Sequence, residues 1–289
     1  MVGFDYTLPE KSSVMKKFSL IALFLLSFKI FGIYEKSFVI VVPSYNNSKW
    51  YKQNLDSILF QNYNNYKIIY IDDCSNDNTG VLVQNYIKYK NKLEKVTFIK
   101  NDQRRGACAN RYNAIHLCND TDIIVLVDGD DWLADKNVLS FLNTIYSDNN
   151  IWATYGQFYY LSTNNLSNVK DFPKNVEFRK YKWNFKHLRT FYAGLYKKIK
   201  LQDLLYQGKF FQVTSDLAES FPILEMARGH IKCIDKGLYV YNDKNINNDF
   251  KTNFANQIAC EKIIRSRPPY ESQENIVSSN DVSHAKKKI

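Results

Sequence analysis

The sequence predicts an α/β domain: a mainly parallel sheet with helices on both faces. Three observations carry this. Apolar runs of strand length recur between residues 38 and 127, amphipathic segments separate them, and three of the runs end in polar clusters. Strands buried on both faces read as continuous apolar runs, and helices joining such strands make them parallel.

Ahead of the sheet, Lys16 and Lys17 precede an uncharged apolar run from Phe18 to Phe28; Lys29 interrupts it, and Ile30 to Tyr34 continue it. The uninterrupted part suits a signal-peptide core, and the whole approaches the minimum for a spanning helix. Residues 1–35 are therefore expected to form a signal- or anchor-like segment with a hydrophobic helix. Membrane contact through 18–34, and a membrane-associated or secretory location over a cytoplasmic one, follow as expectations. Met15 before two lysines resembles a secretory start, and no convincing small-residue cleavage site follows.

The first strand is Phe38-Val39-Ile40-Val41-Val42, stopped at Pro43. Tyr51, Leu55, Ile58 and Leu59 then share a helical face. Lys67 to Ile71 is the second strand, Leu82, Val83, Tyr86 and Ile87 mark the second helix, and Val96 to Ile99 is the third strand. Ala107, Ala114, Ile115 and Cys118 line a third helix before the fourth strand, Ile123 to Val127. Beyond Trp132 the rhythm changes. Ile151 to Leu161 reads as an aromatic strand. Leu217, Phe221 and Leu224 mark a helix that Thr214 or Ser215 can cap and Pro222 can kink, and Ile231 to Tyr241 reads as one or two short strands. Residues 36–266 are taken as one domain with halves at 36–132 and 133–266. The polar, lysine-ended stretch 267–289 is expected to be an unfolded tail.

Composition narrows the function. With 289 residues, 45% hydrophobic, the chain can bury a sizeable core, and 21 tyrosines and 19 phenylalanines are read mainly as core filling. A net charge of +10 suits an anionic partner, but no helix-turn-helix, zinc-finger or RNA-binding signature is present, so nucleic acid is not expected. Five cysteines without metal-type spacing indicate neither a disulfide framework nor a zinc site.

In open parallel sheets, ligands bind outside the carboxyl ends of the strands. Here those ends carry Pro43-Ser44-Tyr45-Asn46, Asp72-Asp73-Cys74-Ser75 and Asp128-Gly129-Asp130-Asp131, which predicts one site. Packed carboxylates repel one another and call for a cation; Mg²⁺ and Mn²⁺ take oxygen ligands and share them with phosphates. Gly129 permits a tight turn, letting Asp128 and Asp130 face one ion. Asp72 or Asp73 can accept the N3–H of a uracil ring or cap the following helix.

Val41-Val42-Pro43-Ser44-Tyr45-Asn46, Ile71 to Asp77, Gly106 to Ile115 and Val127 to Asp131 together resemble, in order and spacing, the family 2 glycosyltransferases of GT-A fold. The resemblance covers about Ser37 to Trp132. It implies a Rossmann-like mixed, mainly parallel sheet and a nucleotide-diphospho-sugar donor, with UDP expected. Ser44 and Tyr45 would lie beside the base with Pro43 closing the strand, Asp73 would read the base with Asp72 beside it, and Arg111 would lie near the donor. Asp128 and Asp130, with Gly129 between them, would hold the metal, Mn²⁺ or Mg²⁺, and the diphosphate. Tyr112, Ala114 and Cys74 depart from the family's usual Asn, Gly and Gly, which leaves fine donor specificity open. Thr214 to Ala218 resembles the acceptor-side segment and makes Asp216 the candidate catalytic base, or a helix cap. His187 to Thr190 is a candidate acceptor face, and His230 is considered as a third metal ligand and not adopted.

The expected function is an inverting, metal-dependent glycosyltransferase acting on a hydroxyl of a glycan, protein or lipid. The alternatives are a nucleotidyltransferase, whose usual Gly-rich lysine loop is missing after Pro43, and a catalytically silent nucleotide-sugar-binding scaffold.

Overall fold

The structure, a computed structural model, describes residues 35–245 and 254–276. The expected hydrophobic helix within 18–34 lies outside these residues. Among the described residues no helix is long and apolar enough to cross a membrane.

The first half forms as its apolar runs require. β1 (Phe38–Ser44), α1 (Tyr51–Leu59), β2 (Tyr66–Asp72), α2 (Thr79–Tyr89), β3 (Val96–Lys100), α3 (Ala107–His116) and β4 (Ile123–Leu126) follow in order. β1 pairs in parallel with β2 and β4, and β2 pairs in parallel with β3, so these four strands send their carboxyl ends to the same edge. β1 and β4 are buried along their whole length, whereas β3, at the edge of the sheet, is only half-buried. Each fully buried Val or Ile contributes about 1.5–3 kcal/mol, so these runs specify the centre of the sheet.

The second half completes the same sheet. β5 (Trp132–Leu133), α4 (Val138–Tyr146), β6 (Ala153–Tyr160), β7 (Thr190–Tyr192), α5 (Ala193–Lys197), β8 (Leu205–Tyr206), β9 (Lys209–Phe210), α6 (Ser215–Met226), β10 (Ile231–Tyr241) and α7 (Phe254–Ser266) complete the described elements. The strand order is β3-β2-β1-β4-β7-β6-β10-β5. β7 is antiparallel to β4 and β6, β6 is parallel to β10, and β5 is antiparallel to β10. The stretch from Ile231 to Tyr241 is thus one strand, with a register irregularity between Ile234 and Tyr239. Gly156 lies where β6 meets that irregularity; a Cβ there would stand 2.2 Å from the Ile234 carbonyl oxygen.

Tyrosines fill the core and bring hydrogen bonds with them. Tyr70, Tyr146, Tyr155, Tyr196 and Tyr239 are among the largest fully buried side chains. Their hydroxyls reach Ser44, Thr190, the Lys170 carbonyl, Glu219 and Asp131, respectively. A buried ring with a satisfied hydroxyl avoids the cost of an unpaired polar group. All five cysteines are unpaired.

Two expectations need correction. The tail expected to be unfolded from residue 267 is part of the fold through residue 276. The Arg267 guanidinium donates to the Asp203 and Leu205 carbonyls, the Tyr270 N–H to Glu225 Oε2 at 2.9 Å, and the Gln273 N–H to the Met226 carbonyl at 2.9 Å. These acceptors, around β8 and the end of α6, are what the polar stretch was composed to meet. The second correction concerns the start of α6. Thr214 holds the N-cap position with φ 57° and makes no side-chain capping bond, while the Ser215 hydroxyl accepts from Arg111; the helix then continues through Pro222.

Candidate active site

The polar ends of β1, β2 and β4 meet as expected. The Asp73 N–H donates to the Ser44 carbonyl at 2.8 Å, and the Gly129 N–H donates to the Pro43 carbonyl at 3.1 Å. The turn expected at Gly129 is present, with the Asp131 N–H on the Asp128 carbonyl at 3.0 Å, and Gly129 makes it without a positive φ. It is required for space: a Cβ there would lie 2.5 Å from Ser44 Oγ and 2.6 Å from Asn47 Nδ2. The Tyr45 ring is covered by the Arg104 guanidinium at 4.0 Å.

Asp73 is buried and holds the loop ahead of α3. Its Oδ1 accepts from Asn101 Nδ2 at 2.7 Å and from the Arg105 N–H at 2.9 Å; its Oδ2 accepts from the Gly106 N–H at 2.8 Å. Burial works to raise its pKa. The hydrogen bonds from Arg105, Asn101, Asn110 and Gly106 outweigh it, so the carboxyl titrates below the ordinary range. Gly106 takes φ 87°, a conformation that disfavours any side chain. Asp72 Oδ1 accepts from the Ser75 N–H at 3.3 Å, and its Oδ2 is buried with no hydrogen-bond partner among the described residues.

The acidic turn after β4 is tied from both halves of the chain. Asn54 Nδ2, on α1, donates to the Asp128 and Asp131 carbonyls at 3.0 and 2.7 Å. From β10, the Tyr239 hydroxyl accepts from the Asp128 N–H at 3.1 Å and donates to Asp131 Oδ2 at 2.7 Å. The Asn242 N–H reaches Asp131 Oδ1 at 2.7 Å, and Asn245 Nδ2 reaches Asp130 Oδ2 at 2.7 Å. Burial, then the Asp130 and Asp128 carboxylates, push the Asp131 carboxyl well above its usual value despite the bonds from Asn242 and Tyr239. His187 stacks flat on the Tyr239 ring, with centroids 4.5 Å apart and planes 4° apart. Burial, followed by the cations Arg189, Lys186 and Arg111, holds this imidazole well below its normal pKa.

Arg111, expected near the donor, pairs with Glu219 on α6, and the Asp128 carboxylate also acts on its charge. Its Nε lies 2.8 Å from Glu219 Oε2 and 3.1 Å from Oε1, and its Nη2 lies 2.8 Å from both Glu219 Oε2 and Ser215 Oγ. Both side chains of this pair are at most 5% exposed. The pair locks α3 to α6, the helix that carries Asp216 in its first turn. Asp216 is 37% exposed, and Arg189 Nη1 stands 3.8 Å from its Oδ2. Lys186 is the second cation on this side: burial lowers its pKa, Asp216 opposes that, and Arg189 adds to it. His230 lies apart from all of this. It stacks on Trp152 at 3.9 Å and donates from Nδ1 to the Asn150 carbonyl at 2.8 Å, before the first residue of β10. The acidic turn meets the other end of that strand, so His230 is not a ligand of this site.

Sequence reasoning missed Asn54, Glu219 and Tyr239. None has a local signature, because each acts on a partner far away in the chain.

Known glycosyltransferases resemble this chain in sequence and in fold. UDP-Glc:alpha-D-GlcNAc-diphosphoundecaprenol beta-1,3-glucosyltransferase WfgD of Escherichia coli is 28% identical over 141 residues, which cover 49% of this chain and 53% of WfgD. Poly(ribitol-phosphate) beta-N-acetylglucosaminyltransferase TarS of Staphylococcus aureus is 28% identical over 117 residues, 38% of this chain and 20% of TarS. The chain thus spans about half the length of WfgD and less of TarS. Among solved structures, S. aureus TarS 1–349 with UDP-GlcNAc matches at TM-score 0.59 and 16% identity, over 79% of this chain and 66% of that one. The mannosyltransferase PcManGT of Pyrobaculum calidifontis with GDP-Man and Mn²⁺ matches at TM-score 0.56 and 16% identity, over 89% and 76%. These two structures share the fold. The sequence profile of glycosyl transferase family 2 matches residues 39–205, more than half of the chain, and the chain belongs to that family.

Proposed function

We propose that this protein is an inverting, divalent-metal-dependent glycosyltransferase that moves a sugar from a UDP-sugar donor to a hydroxyl of a glycan, protein or lipid. The observation that carries the proposal is the convergence of three strand ends, with Gly129 against Ser44 and Asp73 bonded to Ser44, on one acidic turn. Ser44, Tyr45, Asp72 and Asp73 form the base side of the site, with Pro43 closing the strand. The donor set suits a hard cation. Three carboxylates share one tight turn, and Asp131 is pushed upward by burial and then by its two neighbours, a repulsion that a divalent ion relieves.

Asp128 and Asp130 would hold Mn²⁺ or Mg²⁺, which when bound neutralises the donor diphosphate as it leaves. Asp216, at the mouth of the acceptor side, takes the proton of the attacking hydroxyl, and Arg189 orients its carboxylate. Attack from the face opposite the diphosphate inverts the anomeric centre. Arg111 acts at one remove, by holding α6. The apolar run at 18–34 supports a place at a membrane or in a secretory pathway.

Screening UDP-, GDP- and dTDP-sugars for metal-dependent donor hydrolysis tests the reading. UDP-sugar turnover that is lost with chelator and with Asp130→Asn is the expected result. Turnover that persists in chelator refutes the metal role. UDP binding with neither hydrolysis nor transfer favours the silent scaffold.

A further inference from the structure

We infer that His187 is a protein ligand of the divalent cation, adding an imidazole, with Asp131 beside it, to the Asp128 and Asp130 carboxylates of the proposed site, and that it biases the site against magnesium. The inference rests on the metal-dependent reading above and extends it to a residue from a distant stretch of chain. Asp128, Asp131 and His187 each offer one ligand atom, and those atoms all lie within 4.8 Å of one another. Oxygen and nitrogen ligands about 2.0–2.2 Å from one ion stand roughly 3–4.4 Å apart, so a small rotation of the side chains closes this triad on a cation.

Two further observations separate a ligand from a packing residue. The Nδ1 of His187 is buried and has no hydrogen-bond partner among the described residues. A packing histidine inside a protein normally satisfies its nitrogens, because an unpaired polar atom there is costly. The ring is also not loose. It lies flat on Tyr239 at 4.5 Å, and the hydroxyl of that same tyrosine binds the Asp128 N–H and the Asp131 carboxylate. One tyrosine therefore contacts the His187 ring, the Asp131 carboxylate and the backbone that carries Asp128. Such outer contacts are how ligands are oriented before a metal arrives.

The chemistry gives the preference. Magnesium strongly favours oxygen ligands and octahedral geometry, whereas first-row transition ions accept imidazole. A site of carboxylates and one imidazole takes Mn²⁺ or Co²⁺ in preference to Mg²⁺. Carboxylates alone would discriminate less.

The test is Mn²⁺ and Mg²⁺ binding in the presence of UDP, on the full chain, for the unaltered protein, His187→Gln, His187→Asp and Asp128→Asn. Electron spin-echo spectroscopy of bound Mn²⁺ reports whether an imidazole nitrogen is coordinated. The inference expects nitrogen modulation in the unaltered protein and its loss in His187→Gln, with Mn²⁺ affinity falling roughly tenfold or more and Mg²⁺ affinity changing much less. His187→Asp should restore cation binding without the nitrogen signal and move the preference towards Mg²⁺; this variant also shows that the site still folds. Mn²⁺ binding that needs Asp128 but shows no nitrogen signal, or persists unchanged in His187→Gln, overturns the role of His187 and leaves the metal reading standing. No cation binding by the unaltered protein overturns both.

Discussion

Glu219→Ala tests the join between the donor-side and acceptor-side helices. Glu219 is 3% exposed, and the Arg111 guanidinium it faces at 2.8 Å is 5% exposed. Removing the carboxylate leaves a buried cation with Ser215 as its hydrogen-bond partner and without its paired counter-charge. Breaking such a pair costs about 3–5 kcal/mol, because the stranded charge keeps its desolvation cost without the attraction that offset it. For a domain of this size about 2–4 °C of Tm follows each kcal/mol, so the midpoint should fall by roughly 6–20 °C. The double variant Arg111→Met, Glu219→Leu removes both charges in side chains of similar volume and should recover most of the loss. Urea denaturation of the single and double variants gives the coupling directly. Two outcomes would refute the reasoning: a loss below about 1 kcal/mol for Glu219→Ala, or a double variant whose loss equals the sum of the single ones.

Gly129→Ala places a methyl 2.5 Å from Ser44 Oγ and should cost about 1–3 kcal/mol together with most UDP affinity; adding Ser44→Gly should return part of both, read by thermal denaturation and UDP titration. Asp216→Asn should lower kcat about a hundredfold or more with donor affinity nearly unchanged, and a collapse of donor binding instead would place the base elsewhere. The Asp73 carboxyl is held below its unfolded value, so its contribution to stability is complete above about pH 5 and is lost as pH falls through the folded value. The deficit of Asp73→Asn should therefore stay constant between about pH 5 and 8 and shrink on further acidification; a deficit that widens in acid contradicts the assignment.

The order β1-α1-β2-α2-β3-α3-β4 could be read in advance because burial on both faces writes each strand as an unbroken apolar run. Its strand tips are equally local features, Asp72-Asp73 and Asp128 to Asp131 among them. The second half obeys a different rule. β7 has only three residues and is wedged antiparallel between β4 and β6, so no periodicity announces it. Arg111 and Glu219 are far apart in sequence, and a buried ion pair leaves no trace until the fold brings its members together. For the same reason nothing in the sequence announced that Arg111 also holds α6. Gly129 was read for its turn alone: its neighbour Ser44 sits on another strand, so the need for space could not be seen. Residues 267–276 are polar enough to pass for an unfolded tail, but their donors match acceptors that α6 and the β8 region leave open.

The bond network of Tyr239 has a practical corollary for anyone dividing this protein. A fragment ending at residue 132 would contain every acidic residue of the donor side, yet it would lack the strand whose tyrosine shapes their turn, and it would bare the flank of β4 that β7 otherwise covers. Such a fragment should bind nucleotide poorly and self-associate through that uncovered flank. The proposed nucleotide site, whose acidic residues all lie in the first half of the chain, would then be complete only with the entire sheet.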